Sequence, residues 1–126
     1  MKSYAEREVF AEDALAAVEI ATAFVARVGN HWGNELRCHE LARAVGRLLN
    51  LEVVDGRYFA VEHTWLLFRH GEGAHILDVY VPGRFPQVQL IHNHWATSAL
   101  RYVPGVRRDD IRKDIIEQLV KEMTTC

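Results

Sequence analysis

The chain has 126 residues, 49% hydrophobic and 25% charged, a globular composition with enough length for one domain with a buried core. A formal net charge of -2, with the positive residues spread along the chain, gives no electrostatic pull toward nucleic acid or an anionic membrane. Two cysteines, Cys38 and Cys126, are too few for a disulfide-built fold, and no apolar run approaches membrane-spanning length.

The opening residues, MKSYAEREVFAEDA, are too polar for a signal peptide, so the expected setting is soluble, reducing and cytoplasmic. Residues 4–28 read as a helix. Ser3 is placed to cap it, with Glu6 as the capping-box partner. Val9, Phe10, Ala14, Leu15, Val18, Ala21, Phe24, Val25 and Val28 recur at helical spacing and form an apolar stripe. Gly29 and Asn30 are expected to end the helix, and GNHWGN, 29–34, reads as a loop. Asn34 is then the expected cap of a second helix over 35–50, with Leu36, Leu41, Ala42, Val45, Leu48 and Leu49 as its core face. Cys38 falls in its first turn. There the free backbone N–H groups and the helix dipole favour a thiolate. A small buried apolar cysteine is the other reading of that position.

LEVVDGRYFAVEHTWLLFRHGEGAHILDVYVPG reads as antiparallel sheet. Asp55-Gly56 is a two-residue hairpin signal between LEVV and RYFAV. HTWLLFR and AHILDVYV flank HGEG, a second hairpin connection. Symmetric pairing about HGEG sets residue 65 against residue 78. His63 and Asp78 then become diagonal neighbours within side-chain reach. Pro82-Gly83 ends the strand. Apolar alternation at 88–91 and the segment ALRYV supply further strands. Residues 109–123 form an amphipathic helix capped by Asp109. Ile111, Ile115, Ile116, Leu119, Val120 and Met123 make one face, and Asp114, Glu117, Gln118 and Lys121 the other. The expected architecture is one α+β domain, 1–126, with three helices on one face of an antiparallel sheet of about four to six strands.

These elements place Cys38 at a helix start, His63 entering a strand and Asp78 in the following strand. A thiol needs a base to become a thiolate, and the base needs a third group to fix its tautomer and aim its ring. On RCHELARA, HTWLLF and HILDVYVPG, over roughly residues 32–83, the chain resembles the transglutaminase-like branch of the papain-like cysteine enzymes. The resemblance implies a helix-on-antiparallel-sheet core. It implies Cys38 as nucleophile, His63 as proton shuttle and Asp78 as orienter, without metal or cofactor. The implied chemistry is acyl transfer or hydrolysis on a peptide or protein amide, by a peptidase, amidase, deamidase or acyltransferase. The chain is near the small end for such an enzyme, so its cleft is shallow or completed by a protein partner.

An oxyanion donor is also needed. The Cys38 N–H is one candidate. Papain-like enzymes often take the other from a glutamine shortly before the cysteine. This chain has Asn34, Trp32 and His31 there instead. Trp65 follows His63 by two, so it shares its strand face; it either lines the acyl-binding cleft or fills the core. His39 lies about 100° around the helix from Cys38 and reads as a surface or supporting residue rather than the base. His70 reads as a turn residue, and His75 as facing away from Asp78.

Two other classes compete. His92-x-His94, with Cys38 or Asp78, suggests a metal-binding hydrolase, although no HExxH or CxxC is present. A non-catalytic adaptor on the same scaffold would use Trp32, Trp95 and RFPQVQLI as its contact surface.

Overall fold

The computed structural model describes residues 4–32, 35–70, 73–80, 88–91, 101–105 and 108–125. The expected caps Ser3 and Asn34, the Pro82-Gly83 stop, His92, His94, Trp95 and Cys126 lie outside the described residues. Among the described residues the fold is α+β, with three helices and a five-stranded antiparallel sheet.

Helix α1 spans Tyr4–Trp32. Ala17, Ala21, Val25 and Val28 are its buried stripe, at steps of four and three. Gly29 and Asn30 do not end it. The helix runs on to Trp32, which packs on the main core, and packing there outweighs the weak helix propensity of both residues.

Helix α2 spans Cys38–Leu49, so Cys38 is its first residue. Arg37, in extended backbone, is the N-cap and makes no side-chain cap bond; the cap is therefore not Asn34. The guanidinium of Arg37 instead holds Glu40 and reaches Asp110 at 3.0 Å. Asn50, with φ of 55°, closes the helix in the left-handed region.

The strands are β1 (Glu52–Tyr58), β2 (Val61–His70), β3 (Gly73–Asp78), β4 (Gln89–Ile91) and β5 (Tyr102–Pro104), in the order β4-β3-β2-β1-β5. Asp55-Gly56 is not a hairpin turn. Both residues lie inside β1, paired with Thr64 and His63. Asp55 is held in the strand by Arg43 and Thr64, and Gly56 is required for close packing. A Cβ on Gly56 would sit 2.2 Å from the Val103 carbonyl oxygen and 2.6 Å from Trp65 Cη2. The chain reverses later, at Phe59-Ala60, with Phe59 at φ of 54°. The β2–β3 register runs from Leu66↔Leu77 to His70↔Gly73, so its next pair would set Trp65 against Asp78, as the symmetric hairpin predicts. His70 is therefore the last residue of β2 rather than part of the turn.

The sheet sorts its residues by alternation. Leu66, Leu77 and Val53 join the helices in the main core. Trp65, Ile76, Ile91 and Tyr102 form a second cluster on the other face. The last helix, α3, spans Lys113–Thr124, with Arg112 as N-cap instead of Asp109. Residues before it form a strap along α2: the Arg112 amide donates to Glu40 at 3.2 Å and Arg112 Nη2 to the same carboxylate at 2.9 Å. Ile116, Leu119 and Met123 are buried beneath α3, the apolar face expected of it. No helix among the described residues is long and apolar enough to cross a membrane.

Candidate active site

Cys38 sits at the first position of α2, where the backbone N–H groups have no helical partner, and it is partly exposed. Its sulfur lies 3.6 Å from His39 Nδ1 and 3.9 Å from His39 Nε2. His63 acts on the same thiol from the sheet side, favouring the thiolate. Burial pushes the thiol up, but hydrogen bonds and charge from His39 and His63 outweigh it and bring Cys38 down to about 6.

His63 is 2% exposed and Asp78 fully buried, with His63 Nε2 2.8 Å from Asp78 Oδ2. The diagonal contact read from the hairpin register is thus present. Since Nε2 is engaged by the carboxylate, Nδ1 is the nitrogen left for the sulfur. Burial pushes His63 down, yet Asp78 and Cys38 overcome it and raise the imidazole to about 9. The Asp78 carboxylate also accepts from Tyr102 Oη at 2.8 Å and from the Tyr80 amide at 3.1 Å. A buried carboxylate with three donors is satisfied. Tyr102 is held protonated by burial first and by the Asp78 charge second, which keep its hydroxyl a donor.

Alternation puts His63 and Asp78 on the sheet face away from the helices, while Cys38 comes from the helical side. His63 and Asp78 meet where the β2–β3 ladder has stopped, just beyond Leu66↔Leu77. Trp65 is buried, with its ring centroid 6.1 Å from that of His63 and 5.1 Å from that of Tyr102. It shields the imidazole from water and at the same time fills the second core cluster.

Other sequence candidates sit elsewhere. Trp32 Nε1 donates to Glu122 on α3 at 3.1 Å, so this N–H is turned to the last helix and not to an oxyanion. The helix that was expected to stop at residue 28 carries Trp32 there. Asn34 lies outside the described residues, and the Cys38 amide is at the first position of α2. Sequence reasoning set His39 aside as a surface or supporting residue. It is buried and in contact with the sulfur. Angular separation on a helix does not keep adjacent residues of its first turn apart when the longer side chain folds back over the shorter. No protein-family model, curated protein or solved structure matches this chain.

Two further charged groups escaped the sequence reading. Glu40 is fully buried between Arg37 and Arg112; burial pushes its carboxyl up, and the two guanidiniums bring it down to about 2. Asp55 accepts from Arg43 and from the Thr64 hydroxyl at 2.7 Å; burial raises it and these partners more than reverse that. Acid-rich helix starts and a DG pair are ordinary sequence features, so neither residue announced its partner. Among the described residues no group of three or more His, Cys, Asp and Glu side chains is arranged to hold a metal ion.

Proposed function

We propose that this chain carries out thiol-dependent acyl chemistry on an amide, by hydrolysis or by acyl transfer, on a transglutaminase-like, papain-like core. The observation that carries the reading is the placement of Cys38 at the first position of α2, 3.6 Å from His39 and acted on by a His63 that buried Asp78 holds at 2.8 Å, which brings the thiol down to about 6 and the His63 imidazole up to about 9. Between those values the site holds a thiolate and an imidazolium, and its protons belong to the pair rather than to either residue. A thiolate is the nucleophilic form of cysteine, and an imidazolium poised beside it protonates the leaving amine. Asp78 fixes the His63 tautomer through the 2.8 Å contact. The Cys38 N–H, at a helix start, stabilises the tetrahedral oxyanion. The partner chemistry is a peptide or protein amide, in a cytoplasmic setting.

The test is iodoacetamide alkylation of the full chain carrying Cys126→Ser, measured against pH. The Cys38 rate stays high down to about pH 6 and then falls. His63→Ala moves that fall upward, toward the free-thiol range near ~8.5. Identical profiles for the two proteins would remove the dyad. A second reading, an adaptor surface, is favoured by one observation. Phe59, Val61 and Val103 are exposed together at the β1–β2 turn and β5, with Arg101 stacked 5.3 Å over Phe59. An alkylation rate no faster than that of a model thiol favours the adaptor.

A further inference from the structure

Two imidazoles act on the Cys38 thiol, His39 in contact with its sulfur at 3.6 Å and His63 from the far side of the sheet, and each is linked to a carboxylate of its own. His63 is tied directly to Asp78 on the far face. His39 is tied indirectly to Asp55 on the helical face. Its Nδ1 lies 2.6 Å from Thr64 Oγ1, and Thr64 Oγ1 donates to Asp55 Oδ1 at 2.7 Å. A hydroxyl has one proton to give. Thr64 gives it to Asp55, so it can only accept from His39, and Nδ1 must carry the proton in that bond. Neutral His39 is therefore fixed as the Nδ1–H tautomer, with its lone pair on Nε2. Arg43 completes the line: it holds Asp55 with Nη2 and the His39 carbonyl with Nη1 at 3.0 Å.

The two imidazoles are not equivalent. The sulfur is nearly equidistant from the two His39 nitrogens, 3.6 and 3.9 Å, so it is aligned with neither lone pair. The thiol proton is assigned to His63, whose protonated form the buried Asp78 carboxylate supports. Nε2 of His39, 3.9 Å from the sulfur, lies within reach of a group bonded to that sulfur. His63 leans on a buried carboxylate, whose charge favours the imidazolium. His39 meets its carboxylate, Asp55, only through the Thr64 hydroxyl.

We propose that His39 is a second catalytic residue of the site, the general base of the deacylation half-reaction, with Thr64 and Asp55 as its positioning residues. The proposal rests on the thiol-acyl reading and divides its labour. In acylation the thiolate pair forms the S–C bond and the carbonyl pair moves to oxygen. Collapse breaks the C–N bond, and nitrogen takes that pair and a proton from His63 Nδ1. In deacylation a water or amine attacks the thioester carbon and gives its proton to the His39 Nε2 lone pair. The C–S bond then breaks and its pair returns to sulfur. The site now holds a thiolate, protonated His39 and neutral His63. Proton movement from His39 to the carboxylate-backed His63 restores the starting state.

The experiment uses the full chain with Cys126→Ser and p-nitrophenyl acetate as acyl donor. The release of p-nitrophenolate reads acylation, and intact-mass spectrometry reads the lifetime of acetyl-Cys38. His63→Ala slows acylation. His39→Gln takes away one of the two imidazoles that hold the thiol down, so it slows the burst of p-nitrophenolate without abolishing it, and it lengthens the acetyl-Cys38 lifetime, on the order of a hundredfold for a general base. Since His39 is buried, its substitution can disturb folding. Thr64→Val keeps the ring and removes its anchor, and it too lengthens the lifetime, while Thr64→Ser restores the parent value. An acetyl-Cys38 lifetime equal to the parent's in Thr64→Val and His39→Gln overturns the proposal and leaves the His63 reading standing. A parent protein that is never acetylated overturns both.

Discussion

At the scale of single residues, Asp78 decides the electrostatics of the site. It is fully buried and accepts from His63, Tyr102 and the Tyr80 amide, so its charge is placed by three donors rather than by solvent. His63 is raised to about 9 in the fold from an ordinary value of 6.5. A raised basic group stabilises the fold fully below its unfolded value, and the contribution is lost as the pH climbs through 9. Cys38 runs the other way. Lowered to about 6 from 9.0, it stabilises the fold above its unfolded value and loses the contribution as the pH falls through 6. The imidazole of His63, followed by nitrogen NMR, is expected to titrate near 9, and Asp78→Asn to bring it down toward 6.5. A His63 titration that ignores this substitution removes Asp78 as orienter. Asp78→Asn should weaken low-pH alkylation of Cys38 less than His63→Ala, because the carboxylate tunes the base without touching sulfur.

At the scale of elements, α2 is the piece that brings two chemistries together. Its first turn carries Cys38 and His39 toward the sheet and Glu40 toward the strap that leads into α3. Glu40 binds Arg37 and Arg112 at once, so it fixes the start of α2 against the last helix. Removing one partner of a fully buried ion pair costs about 3–5 kcal/mol. Here Arg37 and Arg112 are 31% and 36% exposed and recover water, so Glu40→Gln is expected to cost about 1–3 kcal/mol by denaturant unfolding. The carboxyl is lowered to about 2, so its contribution is present above its ordinary 4.5 and lost as pH falls toward 2. The stability gap between parent and Glu40→Gln should therefore close on acidification. A gap that does not depend on pH would assign the effect to packing instead of charge.

At the scale of the whole molecule, the sheet separates two cores. Helices α1, α2 and α3 cover one face with Leu66, Leu77 and Val79, and the aromatic cluster of Trp65 and Tyr102 lies on the other. Leu119 of α3 is fully buried in the first core, so Leu119→Ala is expected to cost about 2–5 kcal/mol, read as a lowered melting temperature. The same protein should keep its His63 titration, since Asp78, Tyr102 and Trp65 belong to the other face. Loss of both together would show that the two faces unfold as one unit through the ladder they share.

Much of this architecture is legible in the order of residues. The β2–β3 register follows from the symmetry of HTWLLFR and AHILDVYV about HGEG, and that register alone makes His63 and Asp78 diagonal neighbours. The position of Cys38 in a first turn and the apolar face of α3 follow from periodicity and need no tertiary knowledge. Periodicity fixes which face a side chain takes, because the helix and strand repeats are local geometry. It does not fix where a segment stops when packing competes with propensity. So α1 continues past Gly29 and Asn30 to seat Trp32, and Asp55-Gly56 stays in β1, where Asp55 meets Arg43 and Gly56 admits Trp65. Nor does it fix contacts between residues far apart in the chain. Tyr102 on Asp78, Glu40 on Arg112 and Asp55 on Thr64 beneath His39 exist only once the helices have docked on the sheet, because burial is what turns three ordinary polar residues into the supports of one sulfur and one helix start.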